Sequence, residues 1–247
     1  GQIPKGQPLV TQRPVRSPHH TASSIALIGG GTVPRPGEVS LAHHGVLFLD
    51  EMPEFPRGVL ETLRQPMEDG HVTIARAHSA LSFPARFMLV AAMNPTPGGE
   101  KPANEFTARQ MEKYLARLSG PLIDRIDIHV EVPAVSYRDL AGKRDGTDSA
   151  TMRRNVMEAR RRQLDRTGDP ARTNSILTGR ELDKVGPLDG PCQNLLRQAM
   201  TELGLSARAY DKIRRLARTI ADVEEQPEVM PEHVSEAINY RTLDRQM

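Results

Sequence analysis

An α/β domain built on a parallel sheet, followed by a smaller all-helical domain, is the fold this sequence predicts. Three observations carry it. Two short continuous apolar runs, Val46-Leu47-Phe48-Leu49 and Phe87-Met88-Leu89-Val90-Ala91-Ala92, have the composition of strands covered on both faces of a parallel sheet. A stretch of helical spacing lies between them, which makes a βαβ-type unit. Beyond Pro133 strand-like runs stop, and the apolar repeats towards the C-terminus are helical.

Taken in order, residues 1–44 are rich in Gly, Pro, Ser and His, with Gly29-Gly30-Gly31 and turn formers at Pro34, Pro36 and Gly37, so they read as loops and hairpins with little core. The run 46–49 is the first buried strand and ends in Asp50-Glu51. Val59, Leu60, Leu63 and Met67 place one helix over 56–68, closed by Gly70 as a C-cap. His71–Ala75 and Ala80–Phe83 alternate on either side of a polar stretch and predict a β-hairpin. The run 87–92 is the second buried strand and ends at Met93-Asn94-Pro95. Ile126-Asp127-Ile128-His129-Val130-Glu131-Val132 alternates more openly, as an edge strand would. Residues 136–166 read as a polar helix and 168–172 as a connection. From Asn174 onward Leu195, Leu196 and Ala199, then Ala209, Ile213, Leu216 and Ala217, then Val234, Ala237 and Ile238 mark helices punctuated by Ser175, Thr178, Pro187, Gly204 and Pro231.

Composition narrows the classes. Hydrophobic residues at 38% and charged residues at 26% are ordinary for a globular protein, while 4% aromatic and no Trp leave the core to Leu, Ile, Val, Ala and Met. A net charge of +2 announces no nucleic-acid binder, so any such footprint must be local. The cluster Arg153, Arg154, Arg160, Arg161 and Arg162 is one. The single cysteine, Cys192, excludes an intramolecular disulfide and a Cys-based zinc cluster and suits helix packing in a reducing compartment. No membrane span or signal peptide is legible, which points to the cytoplasm.

Chemistry concentrates at the strand ends. Val46-Leu47-Phe48-Leu49-Asp50-Glu51 places a carboxylate pair at the carboxyl edge of a parallel sheet, where open α/β folds bind ligands. In nucleoside triphosphatases of this kind the first carboxylate holds Mg²⁺ through water and the second polarises the attacking water, roles that fit Asp50 and Glu51. A strand that merely ends in solvated acids gives the same pattern. Asn94, at the end of the second strand, can orient the same water or touch the γ-phosphate; as an Asn-Pro dipeptide it is also an ordinary turn signal.

The stretches Arg13–Ser23, Gly29–Phe55, Phe83–Pro95, Leu118–Pro133 and Leu205–Tyr210 closely resemble the magnesium chelatase-like ATPases of the ComM/YifB type, across nearly the whole chain. The resemblance implies an AAA+ P-loop-type parallel-sheet core, incomplete at its N-terminus, with a C-terminal α-helical lid. It divides the chain into a core with a helix-2 insert and a presensor-1 hairpin over 1–135, a connecting helix over 136–172 and a lid over 173–247. Such modules work as rings, usually hexamers, on ATP and Mg²⁺. Asp50 and Glu51 then match the Walker B pair, with Mg²⁺ held by Asp50 via water, and Asn94 matches sensor 1. Arg125 matches the arginine finger that reaches a neighbour's nucleotide, and Arg208 matches sensor 2. Without the resemblance Arg125 reads as an ion-pair partner of Asp124 or Asp127, and Arg208 as one more arginine on a basic helix.

Two departures limit the carry-over. The loop G-x-x-x-x-G-K-[ST], whose amides cradle phosphates, is absent, and Gly142-Lys143-Arg144 is its nearest relic. In the family that loop lies upstream of residue 1, behind a ribosomal-S5-like domain. A fragment of a longer protein is therefore expected, with this chain alone binding ATP weakly or not at all. Where many relatives carry cysteines after Asn94, this chain has Pro95-Thr-Pro-Gly-Gly-Glu-Lys-Pro-Ala-Asn, and the adjacent pairs His19-His20 and His43-His44 lack the i, i+4 spacing of a helical metal site. DNA contacts in such rings come from pore-facing loops, which makes Arg35, in the Gly-rich insert, and Arg76 and His78, at the hairpin tip, the candidates. The expected function is part of an ATP-driven motor on DNA of the competence and branch-migration kind. The rivals are a chelatase-type motor that remodels a protein partner, and a non-catalytic remnant that only assembles with other subunits.

Overall fold

The computed structural model describes residues 11–76, 79–94, 114, 116–133, 135 and 146–241. These residues fall into two compact units, Gly1–Ile126 and Asp127–Met247.

The first unit is organised by a three-stranded parallel sheet. Its strands are β1 (Val15–Arg16), β4 (Val46–Leu49) and β7 (Met88–Ala91), in the order β1-β4-β7. Val46 is the hinge of the register, facing Val15 on one side and Met88 on the other. Between β1 and β4 lie α1 (Ser24–Ile28), the two-residue ladder of β2 (Gly29–Gly30) with β3 (Arg35–Pro36), and α2 (Glu38–Leu41). The region expected to be loop and hairpin thus also holds a strand and two short helices. Gly45 enters β4 hard against Pro14: a Cβ there would collide with the Pro14 carbonyl oxygen, so only glycine lets the backbones approach closely enough to pair.

Leu47 and Leu49 on one face of β4 are fully buried, as are Leu27, Val39 and Leu63 from the surrounding helices. The other face is more open. Met88 is 61% and Val90 37% exposed, so β7 is not the strand buried on both faces that its apolar run suggests. Its composition is right for burial, but among the described residues only β4 pairs with it.

The helix expected over 56–68 is two, α3 (Arg57–Glu61) and α4 (Arg64–Asp69), with the break at Thr62–Leu63. Pro66 supplies the reason, because its ring clashes with the carbonyl four residues back, that of Thr62, and it has no N–H to donate. Gly70 closes α4 in the left-handed region (φ 68°), its N–H donating to the Pro66 carbonyl at 3.0 Å. The hairpin forms as β5 (His71–Arg76) and β6 (Ser79–Pro84), in register Ile74 with Leu81. The last helix of this unit is α5 (Gly120–Ile123), capped by the Ser119 hydroxyl.

Residues 126–132 do not form the expected edge strand. Ile128, Val130 and Val132 are exposed, while His129 is buried and donates its backbone N–H to the Tyr240 carbonyl at 2.8 Å. The alternation is real, but among the described residues it forms no ladder with another strand. The second unit is otherwise helical: α6 (Ser149–Thr167), α7 (Gly179–Val185), α8 (Gly190–Glu202), α9 (Ala207–Val223) and α10 (Pro231–Asn239). Each start carries a sequence signal. Asp148, Asp189 and Ser206 accept backbone N–H bonds at their helix N-termini, and Pro231 opens α10 where a missing N–H costs nothing. The apolar stripes of α8, α9 and α10 converge in one core of Cys192, Leu196, Ala209, Ile213, Ala217, Val234 and Ile238.

Polar groups lock α6 onto α9. Asp222, fully buried, accepts both Arg166 amines at 2.6 and 2.5 Å, Arg218 at 3.0 Å and the Asn174 amide at 2.8 Å. The basic run on α6 is largely spoken for in the same way: Arg161 pairs with Glu158 and Asp165, and Arg162 with Glu158 and Glu225. No described helix is long and apolar enough to cross a membrane.

Candidate functional site

The acid pair sits where β4 runs out. Beyond the ladder two more backbone bonds hold the strand ends together, Ala92 N–H to Leu49 O and Met52 N–H to Ala92 O, each 2.9 Å. The chain after β4 and the chain after β7 therefore leave the sheet side by side, and Asn94, two residues past Ala92, lies on the strand end next to Asp50-Glu51. The three residues singled out in the first unit's strand ends share one edge of the sheet.

The turn itself is strained. Glu51 is left-handed (φ 49°, ψ 45°), a conformation that costs a non-glycine residue about 1–2 kcal/mol, and it persists because neighbours fix both sides of it. Its N–H donates to Asp50 Oδ1 at 3.0 Å, which uses one carboxylate oxygen and leaves the exposed group's other oxygen to solvent. A carboxylate in that state fits a water-mediated hold on a divalent cation. Among the described residues no three His, Cys, Asp or Glu side chains converge as a direct metal cage.

Neighbours of Glu51 were less legible. His20, weighed in the sequence only as a metal donor, places Nδ1 3.2 Å from Glu51 Oε2. Its ring stands edge-on to buried Phe55 and against His19 at 4.1 Å. Tyr114 donates its hydroxyl to the Asn94 carbonyl at 3.2 Å; burial, then the negative charge of Glu54 and Glu51, pushes that phenol up from its ordinary pKa. Arg117 closes this flank on Glu54 at 2.8 Å.

The remaining candidates lie on other elements of the chain. Arg125 follows α5 with its side chain only 8% exposed; its guanidinium pairs with Glu68 on α4 and donates to the Pro121 carbonyl at 2.5 Å. Glu68 is thus a partner of Arg125 that the sequence did not suggest, and Asp127 is 2.7 Å from Lys212. Arg208 is the exposed second residue of α9 in the helical unit. Arg35 is exposed on β3. Arg76 ends β5, its side chain outside the description, and His78, Gly142-Lys143-Arg144 and the 95–104 stretch lie outside the described residues.

Comparison with known proteins adds the context. The sequence pattern described as magnesium chelatase, subunit ChlI, matches residues 2–140, and its C-terminal counterpart matches 146–241. The competence protein ComM of Haemophilus influenzae is 46% identical over 237 residues, 95% of this chain and 46% of that protein. YifB of Escherichia coli is 44% identical over the same shares. The magnesium-chelatase subunit ChlI of Chlorella vulgaris is 26% identical over 219 residues, 86% of this chain and 54% of that protein. The chain spans about half the length of these relatives. With its parallel-sheet core, flanking helices and helical C-terminal region, it has a partial AAA+ α/β fold and belongs to the magnesium chelatase-like family, in its ComM/YifB branch.

Proposed function

We propose that this chain is the part of an ATP-driven AAA+ ring motor that carries the water-activating edge of the nucleotide site, and that the motor acts on DNA. The observation that carries the reading is the edge shared by Asp50, Glu51 and Asn94, held by the paired backbone bonds at Leu49, Met52 and Ala92. In this reading ATP supplies the γ-phosphoryl group and Mg²⁺ neutralises its charge. Asp50 holds the ion through water, Glu51 takes the proton of the attacking water, and Asn94 orients that water. Arg125 serves a neighbouring subunit's nucleotide and Arg208 contacts phosphate from the helical unit. Because no G-x-x-x-x-G-K-[ST] loop occurs in these residues, the phosphate cradle has to come from another segment or subunit.

Action on DNA is supported by the ComM relative, whose name places it in competence. Exposed Arg35 on the Gly-rich insert and Arg76 at the hairpin end are suited to sequence-independent phosphate contacts. The match to a magnesium-chelatase subunit favours, as second reading, a motor that remodels a protein partner.

The test is ATP turnover by the natural-length protein, with and without branched DNA and across a salt series, beside Glu51→Gln. Turnover that DNA stimulates, that salt weakens and that Glu51→Gln abolishes is expected. Turnover unaffected by Glu51→Gln overturns the assignment of the base; turnover indifferent to DNA shifts the balance to the protein-remodelling motor.

A further inference from the structure

Glu51 is the residue on which the proposed chemistry turns; its carboxylate is half exposed on a turn, and among the described residues His20 is the one basic side chain within ion-pair distance of it. A general base has to present one oxygen to water in a fixed direction, and a glutamate with three free torsions does not do so unaided. The imidazole of His20 meets that need. It approaches Oε2 at 3.2 Å, leaving Oε1 available, and is itself flanked on two sides: Phe55, 2% exposed, meets it edge-on, and His19 packs against it at a tilt of 37° with its own Nδ1 held by the Thr21 hydroxyl and amide at 2.9 and 3.3 Å.

The route by which His20 arrives is specific. It follows β1, and β1 pairs in parallel with β4 through Val15–Val46 and Arg16–Leu47, so the segment leaving β1 emerges at the same carboxyl edge as Asp50-Glu51. Arg16 fastens this segment by a two-pronged pair with Glu38, at 2.5 and 2.8 Å. Strand pairing delivers the histidine, the arginine anchors its approach, and Phe55 sets its plane.

We propose that His20 is a positioning residue for Glu51, its Nδ1 holding Oε2 through their 3.2 Å contact so that Oε1 faces the attacking water. The proposal rests on the ATPase reading above, in which Glu51 is the base. The imidazole takes no part in bond making; it fixes the carboxylate that does.

The experiment uses the natural-length protein with His20→Ala, His20→Asn and Glu51→Gln, with steady-state ATP turnover, binding of a fluorescent ATP analogue, and imidazole NMR in which His20 is assigned by its loss in His20→Asn. His20→Ala is expected to lower kcat about tenfold or more while KM and analogue affinity change less than about twofold, since an interaction made at the reacting water affects the barrier alone. His20→Asn, whose Nδ2 lies near the position of the imidazole Nδ1, is expected to recover most of that loss. Glu51→Gln is expected to shift the His20 imidazole signals, a readout independent of turnover. An active enzyme that Glu51→Gln silences but His20→Ala leaves within twofold overturns the positioning role and leaves the base standing. A loss that His20→Asn does not recover, or a fall in analogue affinity as large as the fall in kcat, also overturns it. Turnover insensitive to Glu51→Gln removes the underlying reading instead.

Discussion

Replacing Asp222 by alanine should be the most destabilising single change in the helical unit. The carboxylate is fully buried and collects four hydrogen bonds, two from Arg166, one from Arg218 and one from Asn174. Arg218 is itself 1% exposed; burial draws its pKa below the ordinary guanidinium value against the opposing pull of Asp222. Among the described residues its Nε has no hydrogen-bond partner, so Asp222 and the Gln226 and Pro227 carbonyls, at 2.7 and 2.8 Å, are its means of staying buried while charged. Removing one member of a buried ion pair leaves the other uncompensated, which costs about 3–5 kcal/mol. Asp222→Ala should therefore lower the denaturant midpoint of the helical unit's transition by that amount divided by its m-value. The double variant Asp222→Ala with Arg218→Met removes the orphaned charge and should recover a substantial part of the loss, although Arg166 remains. Urea unfolding followed by helical circular dichroism reads both. A loss below about 1 kcal/mol for Asp222→Ala, or a double variant no more stable than the single, would refute the reasoning.

Other outcomes follow from geometry already described. At Glu51, φ 49° favours glycine, so Glu51→Gly should be about 1 kcal/mol more stable than Glu51→Ala in thermal melts, the reverse of their order in a helix; equal stability would mean that the turn relaxes. Cys192 is fully buried, and burial with the Asp189 contact pushes its thiol up to about 12; it should stay protonated at neutral pH and react with a disulfide reagent only after denaturation. If Arg125 serves a neighbour, Arg125→Ala and Glu51→Gln subunits, each inactive alone, should regain turnover when mixed, because some interfaces then pair an intact base with an intact arginine; no recovery in a mixed ring would place Arg125 in a purely structural pair with Glu68.

What the sequence disclosed and what it withheld divide along one physical line. Signals whose cause is local were legible: the apolar run of β4, the Gly70 cap, the alternation of β5 and β6, the stripes of α8 to α10. Pro66 was a local signal overlooked, and it splits one expected helix into α3 and α4. The misses depend on distant partners. Val15–Arg16 between two prolines has no strand pattern of its own and is a strand because β4 accepts it. Residues 126–132 have the alternation, but among the described residues no strand forms a ladder with them. The same holds at the site: Asp50, Glu51 and Asn94 could be read from strand ends, whereas His20 could not, because its approach to Glu51 is created by β1.

The sheet that gathers these residues also sets when they can meet. A hairpin such as β5–β6 closes a short loop and can form on its own, but residue 46 must find both residue 15 and residue 88 through parallel crossovers, contacts whose closure entropy has to be met before any ladder bond rewards it. On a ribosome, the segment through Ala92 has to emerge before the backbone bonds at Leu49 and Met52 can form. Until then Glu51 has no reason to adopt its left-handed turn, so in a nascent or partly melted chain the acid pair is still an ordinary flexible loop.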